Sequence, residues 1–178
     1  MRTGPGARSR SLDVITDLVV QRLTLGREVA AIKYASGRPI DDPAREQEML
    51  ESVDRALRGI RLYQQSGKQF FPDQIEASKV IQRGLHQRWQ LHPDEIPAVR
   101  RDLPEIRVEL DSINAQMIRQ FQCMNEVPYL ERQDAGDLLI NRYFAALPTW
   151  QLPRLHQAAA LFALRSFLMS VTTTMSVT

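Results

Sequence analysis

From Ser11 to Ser36 the apolar positions, Leu12, Ile15, Val19, Leu23 and Ala30 among them, recur at the three- and four-residue spacing of one helix face with no proline between them. A run that long and regular predicts a single helix, closed by Gly37-Arg38-Pro39. The same period governs the later segments. Asp42-Pro43 reads as a helix start, because the carboxylate can cap free amides and proline lacks an N–H that the first turn leaves unpaired anyway. This second helix is expected to run through Met49, Leu50, Val53 and Leu57 to about Gln65, ahead of Ser66-Gly67. A third is expected from Phe71-Pro72 through Ile75, Ile81 and Leu85 to Trp89. Gln90 to Asp102, with Pro93 and Pro97, reads as an irregular connection. Pro104 opens a fourth helix through Ile106, Leu110, Ile113, Met117 and Phe121, bent or stopped near Pro128. Two more fit Asp134 to Leu147 and Pro153 to Val171, divided by Pro148. No segment alternates with period two for long enough to build a sheet, so the expectation is all-α: one domain over residues 11–171, a bundle of about six helices. Residues 1–10 are expected as a disordered leading segment and 172–178 as a frayed tail.

Composition narrows the function classes. With 178 residues and 43% hydrophobic content the chain can bury the core of one domain. Its 23 Lys and Arg against 21 Asp and Glu leave a net charge of +2, too little for the footprint of a nucleic-acid or anionic-membrane binder. No apolar run reaches the roughly 18 residues of a membrane span. Cys123 is the only cysteine, so no disulfide can form within the chain, and it reads as a small core or helix-face residue. His86, His92 and His156 lack the i, i+4 spacing of metal ligands, and neither a glycine-rich phosphate loop nor a nucleophile elbow is present. Neither metal nor cofactor is therefore expected. Phe70, Phe71, Trp89 and Phe121 read as core aromatics, and Arg100-Arg101 as solvated loop charge.

The candidate chemistry lies in basic and amide side chains. Arg22 and Lys33 stand eleven residues apart, close to three helical turns, so both project from one face of the first helix. Ser78 and Gln82, at i and i+4, share a face of the third. If those faces meet, with Arg45 nearby, the site holds several cations and neutral donors but no strong nucleophile. Such a site suits a small, multiply anionic substrate. Taken singly, Arg22, Lys33 and Arg45 are ordinary solvated helix charges, Asp42 an N-cap, Glu46 a partner along its own helix, and Ser78 and Gln82 ordinary polar positions. Their joint order is the signal.

Arg22 and Lys33, then Ile40-Asp41-Asp42-x-x-Arg45-Glu46, then Gln74-Ile75-x-Ala77-Ser78-x-x-Ile81-Gln82, together resemble the all-helical chorismate mutases, the AroQ class, across residues 11 to 120. Leu103-Pro104-x-x-Arg107-x-x-Leu110-Asp111-Ser112-Ile113-Asn114 looks like the start of the family's first helix met a second time. A shift of 98 aligns Asp13 with Asp111, Ile15 with Ile113 and Leu23 with Phe121, but sets Gln120 against Arg22 and Glu131 against Lys33. The second copy keeps the apolar stripe without the cations. That is similar to the gamma subclass, in which one chain makes the bundle that smaller members build from two, and whose members are usually periplasmic or secreted. The resemblance thus favours an export signal already removed over a cytoplasmic protein.

The resemblance implies rearrangement of chorismate to prephenate, with no cofactor and with the site inside one chain of a possible homodimer. Arg22 and Arg107 would grip the substrate carboxylates, Arg45 would add positive field and Ser78 would hydrogen-bond a carboxylate. Lys33 and Gln82 would donate to the ether oxygen, Glu46 would accept from the ring hydroxyl, and Asp42 would order the loop beside it. Met49 stands where some exported relatives would carry a polar side chain, and either packs on the substrate ring or fills core. Isochorismate pyruvate lyases, which share this bundle and its cationic pocket, are the rival enzymatic reading. A helical interaction protein that has lost activity is the non-enzymatic one.

Overall fold

The computed structural model describes the backbone of residues 5–60, 64 and 68–125, and the side chains of 14–60, 64 and 68–123. Within these bounds the fold is helical without strands: α1 Pro5–Ser36, α2 Pro43–Ala56, α3 Lys68–Leu91, a short 3₁₀ turn at Pro93–Glu95, and α4 Leu103–Asn125. The helices expected at 134–147 and 153–171, and the tail, lie outside the described residues.

Each terminus has a local cause. Gly37 adopts a φ of 66°, and its N–H and that of Arg38 turn back onto the carbonyls of Tyr34 (3.4 Å) and Lys33 (3.0 Å). This is the double closure that ends a helix on a left-handed glycine. The chain can then fold back at once, so that Ile40 returns close to Lys33. Asp42 caps α2, its Oδ1 accepting from the Arg45 N–H at 3.3 Å, while Glu46 Oε1 accepts from the Asp42 N–H at 3.1 Å. At the start of α4 a reciprocal pair plays the same part, with Asp102 Oδ1 accepting from the Glu105 N–H and Glu105 Oε2 from the Asp102 N–H.

Three boundaries depart from the sequence-based expectation. α1 is already helical at Pro5, ahead of the expected start at Ser11. Proline there costs no hydrogen bond in the first turn. α2 stops at Ala56 rather than near Gln65: the Leu57 N–H makes the last helical bond, to the Val53 carbonyl, after which the Ile60 N–H tightens onto the Leu57 carbonyl and Gly59 takes a φ of 85°. α3 begins at Lys68, four residues ahead of Pro72, whose ring removes a hydrogen bond only in the second turn.

α1 is the axis of the bundle, about 48 Å long at 1.5 Å per residue. It packs against α3 and α4, and α2 lies across both of these. Ile15, Leu23, Phe70, Phe71, Ile81, Ile106 and Phe121 are fully buried between them. The three phenylalanines meet with ring centroids 5.2 to 5.8 Å apart, two of the pairs edge to face. A second cluster joins Trp89 to Tyr34 and His86 where α1 and α3 end together, and His86 Nε2 lies 2.9 Å from the Ala30 carbonyl. Cys123 is exposed on α4, which fits the helix-face alternative of its reading and not the core one. One surface expectation changes. Arg101 is tied to Glu28 at 3.5 Å and Glu109 at 2.6 Å rather than free in solvent. Among the described residues no helix is long and apolar enough to cross a membrane, and no His, Cys, Asp and Glu cluster could hold a metal ion.

Candidate active site

All eight residues singled out from the sequence line one cavity, of about 670 Å³ with its open mouth included, between α1, α2, α3 and α4. Arg22 and Lys33 come from α1, Asp42, Arg45 and Glu46 from the start of α2, Ser78 and Gln82 from α3, and Arg107 from α4. Met49, Val29, Ile75, Leu103 and Leu110 supply apolar wall. Lys79, Asp111 and Asn114 also line it. Sequence reasoning gave these three no role. The available signal was positional: Lys79 lies between Ser78 and Gln82, and Asp111 and Asn114 lie one and two turns past Arg107.

Of the five cationic side chains in the lining, Arg45, Lys79 and Arg107 are ion-paired with carboxylates, which among the described residues leaves Arg22 and Lys33 outside the ion pairs. The cations are not equivalent. Arg22 is 7% exposed, and Nη1 donates to Asn114 Oδ1 at 3.0 Å while Nε is buried with no partner. Burial lowers its pKa to about 10, against the opposing pull of Asp111 and with a further push from Arg45. It remains cationic at neutral pH. The depression corresponds to roughly 3 kcal/mol against the charged form, which a carboxylate bound beside it would relieve.

Lys33 is also buried, and Nζ donates to the Ile40 carbonyl at 2.6 Å. Burial lowers its pKa, with Asp42 opposing and Arg107 adding to the effect. Arg45 is held the other way: burial disfavours its charge, but hydrogen bonds to Glu48 and to both oxygens of Asp111 (2.5 and 2.6 Å) prevail and raise its pKa. Arg107 Nη2 donates to Asp42 Oδ2 at 2.5 Å, which ties α4 to the cap of α2.

On α3, Gln82 Nε2 donates to Ser78 Oγ at 3.1 Å, and Gln82 Oε1 is buried with no partner. The opposite amide orientation pairs Oε1 with the Ser78 hydroxyl and turns both amide protons to the cavity. Ser78 packs close against α1: a Cβ at Gly26 would lie 3.2 Å from Ser78 Oγ. The cavity can therefore hold a compact anion between donors on four helices. It offers no cysteine and no serine paired with a base.

Residues 13–83 match the family of chorismate mutase type II. This stretch is a type II chorismate mutase region. It contains every site residue named from the sequence except Arg107. The secreted chorismate mutase of Mycolicibacterium smegmatis is 32% identical over 104 residues, 58% of this chain and 58% of that protein. The secreted chorismate mutase of Mycobacterium tuberculosis is 29% identical over 106 residues, 60% of this chain and 53% of its own length. The chain thus spans a little over half the length of these relatives. The crystal structure of chorismate mutase from Burkholderia thailandensis superposes with a TM-score of 0.73 at 24% identity, over 88% of this chain and 98% of the other, and so shares the fold. The chorismate mutase region supplies α1, α2 and most of α3 to the cavity, while α4 closes it from outside the matched stretch.

Proposed function

We propose that the protein is a chorismate mutase that converts chorismate to prephenate, exported from the cytoplasm as the secreted relatives are named to be. The observation that carries this is the lining itself: two buried cations outside the ion pairs, Arg22 and Lys33, for a two-carboxylate substrate, with no nucleophile. The rearrangement breaks a C–O bond as a C–C bond forms in the same molecule and needs no proton transfer. A site that performs it has to hold the substrate folded and stabilise negative charge growing on the ether oxygen.

Arg22, the buried cation with a neutral partner and an unpartnered Nε, takes one carboxylate. Arg107 takes the other with the N–H groups that Asp42 does not use, its planar fork suiting two-point contact. Ser78 adds a hydrogen bond and Arg45 adds field. Lys33 and Gln82 donate to the ether oxygen, and Glu46 accepts from the ring hydroxyl. Met49, buried against the cavity, packs on the substrate ring. The reading includes α4 as a degenerate copy of the first helix. Ile113 and Phe121, buried like Ile15 and Leu23, support it, and Gln120 stands where the copy lacks Arg22.

The test is a spectrophotometric assay of chorismate loss with prephenate identified as product, run beside isochorismate. Release of pyruvate from isochorismate without turnover of chorismate would assign the lyase activity instead, and inertness toward both would leave a helical interaction protein. Two variants refine the assignment. Arg107→Ala is expected to raise KM about tenfold to a hundredfold, since a carboxylate loses a charge-assisted hydrogen bond of about 1.5 to 3 kcal/mol. Gln120→Ala should leave steady-state constants unchanged, and equal damage from both would contradict a single site per chain. Gly26→Ala should gain up to about 1 kcal/mol of helix propensity while crowding Ser78. A thermal melt at or above wild type combined with a severalfold higher KM is the expected pair of results.

A further inference from the structure

Lys79 is the buried charge of the cavity that the proposed chemistry does not use. It stands on α3, and its Nζ lies 2.8 Å from Glu46, 2.9 Å from Glu76 and 3.2 Å from Asp41. An ammonium has three protons, and here three carboxylates stand ready to accept them. Burial disfavours the charge, yet the hydrogen bonds to Glu46, Glu76 and Asp41 prevail and raise its pKa. Lys79 thus has nothing left to offer a substrate. What it touches is informative. Asp41 belongs to the turn between α1 and α2, and Glu46 to the first turn of α2. That same segment provides the Ile40 carbonyl that receives Lys33 Nζ, and the Asp42 carboxylate that receives Arg107. Glu46 also accepts from the Asp42 N–H, so one carboxylate links the lysine directly to the cap of α2.

We propose that Lys79 is a positioning residue that fastens the segment from Ile40 to Glu46 onto α3, and thereby sets Lys33, Glu46 and Arg107 for the substrate. This rests on the chorismate mutase reading of the cavity. Among the described residues Lys79 reaches from α3 to this segment near both of its ends, at Asp41 and Glu46, with Arg83 to Asp41 at 3.0 Å as an outer tie. Removing the ammonium leaves Glu46 and Asp41 facing a position without a counter-charge, and turns a carboxylate loose at the mouth of an anion site.

The experiment compares Lys79→Met, which keeps the length and apolar stem, with Lys79→Arg, which restores a cation able to bridge the same carboxylates. Lys79→Met is expected to raise KM for chorismate about tenfold with kcat within about threefold of wild type, because ground-state contacts to the carboxylates are lost first. Lys79→Arg should recover most of the loss. Hydrogen–deuterium exchange of the peptide covering residues 37–46 should quicken in Lys79→Met and return toward wild type in Lys79→Arg, with protection of α1 unchanged. Asp41→Asn, on the surface, keeps the question open to test if Lys79→Met does not fold, and should move exchange and KM in the same direction by a smaller factor. Glu76→Gln, whose carboxylate lies on α3 itself, should change neither. Wild-type exchange and KM in the Lys79 and Asp41 variants, or equal damage from Glu76→Gln, would overturn the assignment. A wild-type protein that exchanges as described but does not turn over chorismate would refute the enzymatic reading and leave the fastening intact.

Discussion

Replacing Lys33 by alanine is expected to lower kcat by about 10² to 10³ while leaving the helical circular dichroism of the protein unchanged. The figure is that of one preorganised donor aimed at charge that develops only in the transition state, about 2.7 to 4 kcal/mol. Lys33 has the attributes such a donor needs. It is buried, its stem is fixed on the last turns of α1, and Nζ is already oriented by the Ile40 carbonyl, so little reorganisation remains for the reaction itself. Burial also lowers its pKa, which makes the charge worth more to a developing anion and sets an upper pH limit on activity. If Lys33 donates as a cation, kcat/KM should fall as pH rises through its lowered pKa, on the alkaline side but below 10.5. Arg22→Ala should be similarly damaging, but it also leaves Asn114 Oδ1 without its donor in a buried place, so the Lys33 variant is the cleaner measurement. Near-wild-type turnover in Lys33→Ala would remove this residue from the site.

The second large effect concerns Gln82 and is expected to appear as a change in the shape of a pH profile. An amide donates to the ether oxygen without titrating, so wild-type kcat/KM should be flat from mildly acidic to neutral pH. A glutamate in the same place can donate only when protonated. In Gln82→Glu, Lys33 and Arg22 line the same cavity and favour the ionised carboxylate, which holds its pKa near or below the ordinary value of about 4.3 unless burial prevails. At neutral pH the variant would then set a negative charge against the negative charge of the transition state. Activity is therefore expected to be lost as pH rises through the carboxyl pKa and regained in acid. Superimposable profiles for the two proteins would mean that Gln82 does not contact the reacting oxygen.

Local sequence was sufficient for the elements and for several of the candidate residues. Helical periodicity with Gly37, Asp42-Pro43 and Pro104 marks where helices stop and start, because capping and backbone restriction act within a few residues of the chain. The eleven-residue spacing of Arg22 and Lys33 and the i, i+4 spacing of Ser78 and Gln82 likewise assign each pair to one face from helix geometry alone. Boundaries without a strong local signal were less legible. Pro72 reads as a start but is carried inside α3, since a proline so near the N-terminus breaks only one hydrogen bond.

What periodicity could not supply was which faces meet and which charges are already spent. Arg22, Arg45 and Arg107 look alike in sequence, yet the fold gives the first a neutral amide, the second a two-point carboxylate and the third the cap of another helix. Lys79, an ordinary lysine one residue from Ser78 with Glu76 as its partner along the helix, becomes a buried junction of three carboxylates only because the fold brings Asp41 and Glu46 onto α3. Residue type and spacing along one helix are properties of the local chain, and the sequence alone determined them. Partnership, burial and the resulting pKa of each charge depend on atoms tens of residues away, so only the packing of four helices around one cavity could decide them.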